Sequence, residues 1–125
     1  MDALKIEGTD DTPEVNFDPS SNCFKISGRS LPEDVKVFFQ PIFDWLDQYL
    51  SSPNETTLFE FELEYFNTAS SKMILDTLMK IEDAYNNGKD VKILWIYDEE
   101  DEDMEEAGEE YSELIEVPFE MKELD

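Results

Sequence analysis

The chain has 125 residues, 40% of them hydrophobic and 13% aromatic, and nine Lys and Arg stand against 33 Asp and Glu to give a formal net charge of −24. Nine Phe, five Tyr and two Trp predict a packed domain rather than a disordered acidic tail, and the length fits one domain, residues 1–125. The charge argues against binding to nucleic-acid phosphates or to an anionic membrane surface.

Other classes are excluded by what the chain lacks. Its apolar stretches are far shorter than the roughly 20 residues that span a bilayer, and the start of the chain does not resemble a signal peptide. The single cysteine, Cys23, fits a reducing compartment, and the absence of His removes the commonest general base and zinc ligand. We therefore predict a cytoplasmic protein without metal or cofactor.

The first third of the chain predicts two strands and a helix. Residues 1–13 are polar around Leu4 and Ile6 and rich in turn residues. Short strands are predicted at 15–17 and 23–27, joined by a turn-rich segment. Ser30 followed by Glu33 resembles a capping box at the start of the first helix. The apolar stripe of that helix recurs at three- and four-residue steps: Val35, Phe38, Phe39, Ile42, Trp45, Leu46 and Tyr49.

Two further features of this part decide how the helix and the sheet are built. Pro41 lies inside the helical stripe, and we expect it to kink or split the helix. The clearest strand, residues 57–65, alternates strictly between two kinds of side chain. One face carries Phe59, Phe61, Leu63 and Tyr65, and the other carries Glu60, Glu62 and Glu64. Because covering three carboxylates is costly, the helices should pack on the aromatic face only.

The second half of the chain predicts alternating helices and strands. A helix is predicted at 70–85, a central strand at 91–97 and a last strand at 115–121, which Pro118 makes an edge strand. Ten of the residues in 98–110 are acidic, which is typical of a solvated loop running into an acidic helix; an EF-hand frame fits poorly because it lacks the required Gly. The fold class is α/β, a mixed sheet with helices on one face, in the order β-β-α-β-α-β-(α)-β.

No constellation of residues points to catalysis. Acidic residues are so numerous that no acid/base pair stands out, and Cys23 has no His to activate it. The junction between the third strand and the second helix is more informative. Either Thr68 or Ser70 is predicted to cap the helix, and the free amides of a helix start also suit a phosphate. The residues around this junction are Tyr65, Asn67, Thr68, Ser70, Ser71 and Lys72.

At this junction the chain resembles the SiaC family of bacterial regulatory phosphoproteins. The matching motifs are Tyr65-x-Asn67-Thr68-Ala69-Ser70-x-Lys72, Asp76-x-Leu78 and Glu82-x-Ala84, with shorter matches nearly end to end. The resemblance implies a STAS-like domain, similar to anti-sigma-factor antagonists such as SpoIIAA, that acts by partner switching and is not an enzyme. It implies phosphorylation at Thr68, with Tyr65, Asn67, Ser70, Ser71 and Lys72 around the site and in contact with partners.

The partners implied by the resemblance are a protein kinase, a SpoIIE-type phosphatase and an effector. In the unphosphorylated form the protein would bind and activate that effector, a diguanylate cyclase, in cyclic di-GMP and biofilm signalling. A second interpretation stays open, because the net charge and the acidic run 98–110 also fit a constitutive acidic protein that mimics nucleic acid or masks a basic partner surface.

Overall fold

The computed structural model describes residues 1–124 and contains six strands and three helices. Their bounds in chain order are β1 Leu4–Ile6, β2 Glu14–Asp18, β3 Cys23–Ser30, α1 Val35–Ser51, β4 Thr57–Phe66, α2 Thr68–Asn86, β5 Val91–Tyr97, α3 Glu102–Leu114 and β6 Phe119–Glu123. The α/β class is confirmed, and so is the predicted element order from β2 onward, with the acidic run forming most of α3. One strand, β1, was missed because it is only three residues long.

The strands lie in the sheet in their chain order, β1-β2-β3-β4-β5-β6. The pairs β1–β2 and β2–β3 are antiparallel, while β3, β4, β5 and β6 run parallel to one another. The chain therefore crosses over through α1, α2 and α3, and each of these helices follows a parallel strand. β5 is internal and β6 is an edge, as the sequence predicts.

All three helices pack on the face of the sheet that carries Phe59 and Phe61. This confirms the prediction that the helices avoid the opposite face, which carries the Glu side chains. Phe59 lies in an aromatic cluster with Phe17, Phe24 and Trp45 of α1. Phe61 stacks on Trp95 of β5, with ring centroids 5.8 Å apart. The indole Nε1 of Trp95 donates to the Met104 carbonyl in α3, 3.0 Å away. A single hydrophobic core connects the sheet to the three helices.

The start of α1 differs from the predicted one. Ser30 belongs to β3, where it pairs with Phe66, so it cannot cap a helix. Asp34 is the cap instead, since its carboxylate accepts from the Val37 amide at 3.2 Å. Pro41 does not split the helix, which is continuous over Val35–Ser51. Proline has no amide N–H that could donate to the Val37 carbonyl. Because Pro41 and Val37 are both exposed, that carbonyl lies on the side of the helix that water can reach.

Strand β4 departs from strict alternation at its end. Gly28 pairs with Leu63, but the next residue, Arg29, pairs with Tyr65, so Glu64 is an extra residue in the ladder. Such a bulge turns every later side chain to the opposite face. Tyr65 is therefore 45% exposed, and its predicted place on the buried face is wrong. Phe66 faces the core instead, and its ring centroid lies 6.3 Å from the ring centroid of Tyr111.

Candidate functional site

A single residue, Asn67, separates the end of β4 from the start of α2. Its backbone is extended (φ −85°, ψ 176°), and its side-chain oxygen accepts from the Ser70 amide at 2.9 Å. Asn67 is therefore the helix N-cap, and the prediction of Thr68 or Ser70 in that role is wrong. The reason is that both of those residues already have helical positions, whereas a cap requires the extended residue before them.

Ser70 anchors the helix start in the interior. Its side chain has no exposed surface, and the Ser30 hydroxyl donates to its Oγ at 2.8 Å. The backbone adds a second link here, because the Asn67 amide donates to the Ser30 carbonyl at 3.1 Å. Two hydrogen bonds thus tie the first turn of α2 to the end of β3. Because Ser70 is fully buried, it supports the junction from inside and does not form part of its surface.

Ser71 connects the same turn to α3. Its hydroxyl donates to the Thr68 carbonyl at 3.0 Å, and its own carbonyl accepts from the Tyr111 hydroxyl at 2.9 Å. Burial raises the pKa of Tyr111 to about 12, and the charge of Glu110 adds to that rise. Tyr111 is therefore a neutral hydrogen-bond donor at physiological pH, and the acidic helix α3 is fastened to the helix start by it.

Thr68 is the first residue of α2 and is exposed to solvent. The first amides of a helix have no acceptor within the helix, and the positive end of the helix dipole lies there. A phosphate on Thr68 is therefore favoured electrostatically by the backbone next to it. Of the three hydroxyl-bearing residues in this first turn, Ser70 is buried and Ser71 is half-buried with its hydroxyl in use. Thr68 is the one that an enzyme can reach most easily.

Two more of the predicted residues reach the surface beside Thr68. The exposed ring of Tyr65 lies 5.3 Å below the guanidinium carbon of Arg29, in the geometry of a cation–π contact. Lys72 lies one turn beyond Thr68, and its ammonium is 3.7 Å from the Asp76 carboxylate. The junction therefore presents an aromatic ring, a hydroxyl and two cations, although the chain as a whole is strongly acidic.

Sequence reasoning missed three residues of this site. Ser30 was interpreted as a helix cap, and Arg29 belongs to no recognisable motif. Tyr111 lies 40 residues beyond Ser71, to whose carbonyl it donates. No local pattern could have found Tyr111, because its contact depends on how α3 packs against α2. For Ser30 the signal was Pro32, because the residue before a proline is disfavoured in a helix and Leu31 would be the first helical residue after a cap at Ser30.

A cavity of about 660 Å³ lies elsewhere, on the open face of the sheet at the carboxyl ends of the parallel strands. Its lining is strongly acidic: Glu62, Glu64, Asp98, Glu100 and Asp101. Within residues 1–124, no three of the acidic or Cys side chains converge as metal ligands do. The EF-hand frame at Asp98 is incompatible with the structure, because α3 begins at Glu102 inside the twelve-residue loop that such a site needs. Over the same residues, no helix is both long and apolar enough to cross a membrane.

Comparison with known proteins places the whole chain in one group. The model of the SiaC family of regulatory phosphoproteins matches residues 6–124. An uncharacterized protein of Pseudomonas aeruginosa (strain UCBPP-PA14) is 32% identical over 119 residues, which cover 95% of this chain and 94% of the relative. The solved structure of SiaC of Pseudomonas aeruginosa is 30% identical, covers 99% of this chain and all of its own, and superposes with a TM-score of 0.90.

A further structural match is a complex. A chain in the crystal structure of the diguanylate cyclase SiaD with its activator SiaC, from Pseudomonas aeruginosa, superposes with a TM-score of 0.91 at 30% identity. The match covers 97% of this chain and 99% of that one. The fold described above is therefore also adopted by a protein that is bound to an enzyme which it activates.

Proposed function

Because the chain belongs to the SiaC family of regulatory phosphoproteins, we propose that it is a non-enzymatic partner-switching regulator and that Thr68 carries its phosphate. The observation that carries the choice of Thr68 is the exposure of this residue at the first position of α2, next to buried Ser70 and hydrogen-bonded Ser71. The continuous core supports the further proposal that residues 1–125 form one domain.

The switch needs two enzymes that act on Thr68. A protein kinase transfers the terminal phosphoryl group of a nucleoside triphosphate to the Thr68 oxygen, while the hydroxyl proton passes to a base of the kinase and the diphosphate leaves. A SpoIIE-type phosphatase returns the hydroxyl by hydrolysis and releases inorganic phosphate. Both reactions, and the synthesis of a cyclic dinucleotide, use nucleotides or metal ions that the cytoplasm supplies. We therefore place the protein in the cytoplasm.

The effector in this proposal is a diguanylate cyclase, which the unphosphorylated form binds and activates. The support is the fold match to a chain of the SiaD–SiaC complex. The surface that we assign to the effector includes Tyr65, Asn67, Ser71 and Lys72, which lie close to Thr68 in the chain. A phosphate adds about −1.5 to −2 charges to this surface, and desolvation and repulsion then oppose docking. A difference of about 1.4 kcal/mol already lowers affinity tenfold.

The test is to co-express the protein with the kinase of its own host and to measure its intact mass. We expect the wild type and Ser71→Ala to gain one phosphate and Thr68→Ala to gain none. A phosphate that stays on Thr68→Ala contradicts the proposal. Ser71→Ala is the matched control because it removes the nearest accessible hydroxyl.

Binding measurements on the purified cyclase distinguish the partner switch from an acidic decoy, that is, a constitutive acidic protein that mimics nucleic acid or masks a basic partner surface. A partner switch predicts that phosphorylated protein loses affinity by an order of magnitude or more, while the unmodified protein binds at physiological salt. A decoy held by its net charge of −24 predicts instead that binding collapses steeply with salt and is insensitive to phosphorylation.

A further inference from the structure

Thr68 and Lys72 are four residues apart on α2, so their side chains lie on the same face of the helix, one turn apart. The Lys72 side chain is 73% exposed, and its nearest acidic partner is Asp76, one turn further on, at 3.7 Å. That distance is longer than a hydrogen bond between an ammonium and a carboxylate. Lys72 is thus held only loosely, between the candidate phosphate position and Asp76.

The other lysine of α2 with an acidic partner is held differently. The ammonium of Lys80 lies 2.7 Å from the Asp47 carboxylate in α1 and 5.4 Å from the centre of the Phe43 ring. Its side chain is only 29% exposed. Lys80 therefore joins two helices, whereas Lys72 makes one weak contact within its own helix. Of the two, Lys72 is the cation that can change partners without disturbing the packing.

A phosphate on Thr68 competes with Asp76 for this ammonium and has two advantages. It carries about −1.5 to −2 charges against −1 for the carboxylate. It also lies on the amino-terminal side of the lysine, and an acid placed four residues before a lysine makes the better helical pair, since the helix dipole favours negative charge at that end. The structure thus has a cation positioned to exchange one partner for another when Thr68 is modified.

We propose that phosphorylation of Thr68 transfers Lys72 from Asp76 to the phosphate, so that the modification changes the charge of α2 two turns away from itself. This proposal rests on the proposed function, since it takes Thr68 as the phosphorylated residue. Asp76, once released, lies with Met79, Lys80 and Asp83 in the lining of a shallow cavity of about 360 Å³ between α1 and α2. Eight residues of helix carry the effect about 12 Å from Thr68.

This exchange changes what a partner meets on the helix. Before modification, the exposed stripe offers a neutral hydroxyl, then a Lys72–Asp76 pair, and then the apolar side chain of Met79, which is 47% exposed. After modification the stripe offers a partly neutralised phosphate, followed by the Asp76 carboxylate, no longer paired with Lys72, next to Met79. A partner that packs an apolar side chain on Met79 therefore loses affinity even if it never touches Thr68.

The test uses protein with phosphothreonine installed at position 68 by genetic code expansion and follows its ³¹P chemical shift against pH. A nearby ammonium favours the dianion, so Lys72→Met should move the titration midpoint up by about 0.3 pH unit. Asp76→Asn removes the competing carboxylate and should move the midpoint in the opposite direction. Lys80→Met is the matched control, with the same loss of charge on the same helix, and should leave the midpoint unchanged.

The inference is overturned if Lys72→Met titrates like the wild type, or if Lys80→Met shifts the midpoint as much, since a general charge effect would then be enough. These outcomes do not depend on any kinase. Failure of the host kinase to modify Thr68 is a separate result, which contradicts the proposed function and leaves the ³¹P measurement intact.

Discussion

Ser30 and Ser70 are 40 residues apart in the chain, and their hydroxyl oxygens lie 2.8 Å apart with neither side chain exposed to solvent. This hydrogen bond joins the end of β3 to the first turn of α2. It therefore fixes the helix start relative to the sheet while Thr68, two residues earlier, stays on the surface. The interior of the junction is therefore hydrogen-bonded, and its surface presents the exposed Thr68.

The first prediction concerns this buried pair. Ser70→Ala or Ser30→Ala leaves one buried hydroxyl without a partner, and each should lower the free energy of unfolding by about 1–3 kcal/mol. The double variant buries no unpaired hydroxyl, so its loss should be smaller than the sum by about 1 kcal/mol. Urea unfolding followed by Trp fluorescence measures all three, with exposed Ser52→Ala as the control. Strict additivity would show that the two hydroxyls do not interact.

The second prediction concerns the N-cap of α2. Asn67→Ala removes the acceptor for the Ser70 amide and should cost about 1 kcal/mol of unfolding free energy, whereas Asn67→Asp keeps an acceptor and should cost little. Asp34→Ala at the cap of α1 provides a scale, because the carboxylate of that residue makes the same contact with Val37. Equal losses for the two Asn67 variants would argue against capping as the role of its side chain.

The third prediction concerns Gly108, where α3 crosses the sheet. A Cβ at this position meets Cδ1 of Trp95 and would lie 2.7 Å from its Nε1 and 2.8 Å from the Met121 methyl. The indole is stacked on Phe61 and bonded to the Met104 carbonyl, so it has no room to move aside. Gly108→Ala should therefore destabilise the fold by about 2 kcal/mol and change the near-UV circular dichroism of Trp95.

The sign of this effect is diagnostic. At an unhindered helical position, replacing Gly with Ala stabilises a helix by about 0.5–1 kcal/mol. A gain of stability in Gly108→Ala would mean that α3 does not approach Trp95 as closely as the structure has it. Glu106→Ala, on the exposed side of the same helix, should stay within about 0.5 kcal/mol of the wild type.

The fourth prediction concerns alkaline pH. The pKa of Tyr111 is raised to about 12 in the folded protein, so the unfolded chain loses this proton first. Between about pH 10 and pH 12 the unfolded state binds fewer protons than the native state, and stability falls as pH rises through that range. Below about pH 10 the contribution is complete. Burial also raises the pKa of Tyr97, which adds a loss of the same sign.

Tyr111→Phe tests this assignment. The variant should lose about 1 kcal/mol at neutral pH, because the bond to the Ser71 carbonyl is gone, and its stability should then fall less steeply above about pH 10 than that of the wild type. Urea midpoints collected from pH 8 to the alkaline limit of folding measure both effects. An unchanged alkaline slope would place the titration in another tyrosine.

Much of the architecture could be predicted because it depends on local periodicity. The alternation of Phe and Glu in β4 predicts both the strand and the face on which the helices pack, since burying several carboxylates is too costly. The apolar run of β5 predicts an internal strand in the same way. For β1 the pattern is too short: Leu4 and Ile6 form a strand because β2 places Phe17 and Val15 opposite them.

The candidate site could be predicted only in part. The residue types at the junction predict a helix start there, and the structure places the exposed Thr68 at the first position of that helix. The cap was assigned to the wrong residue, because Asn, Thr and Ser are all good caps and only the backbone angles choose among them. The inward place predicted for Tyr65 failed because a bulge depends on the register with β3, which no property of β4 alone determines.

Periodicity, charge and residue type predict most of the secondary structure, the one-sided packing and the chemical character of the junction, because each of these depends on a few neighbouring positions. Three facts required the folded chain: which hydroxyl is accessible, which cations lie beside it and which helix packs against it. Those facts depend on contacts between residues far apart in the chain, such as Ser30 with Ser70 and Ser71 with Tyr111, and a linear pattern contains no information about such distances.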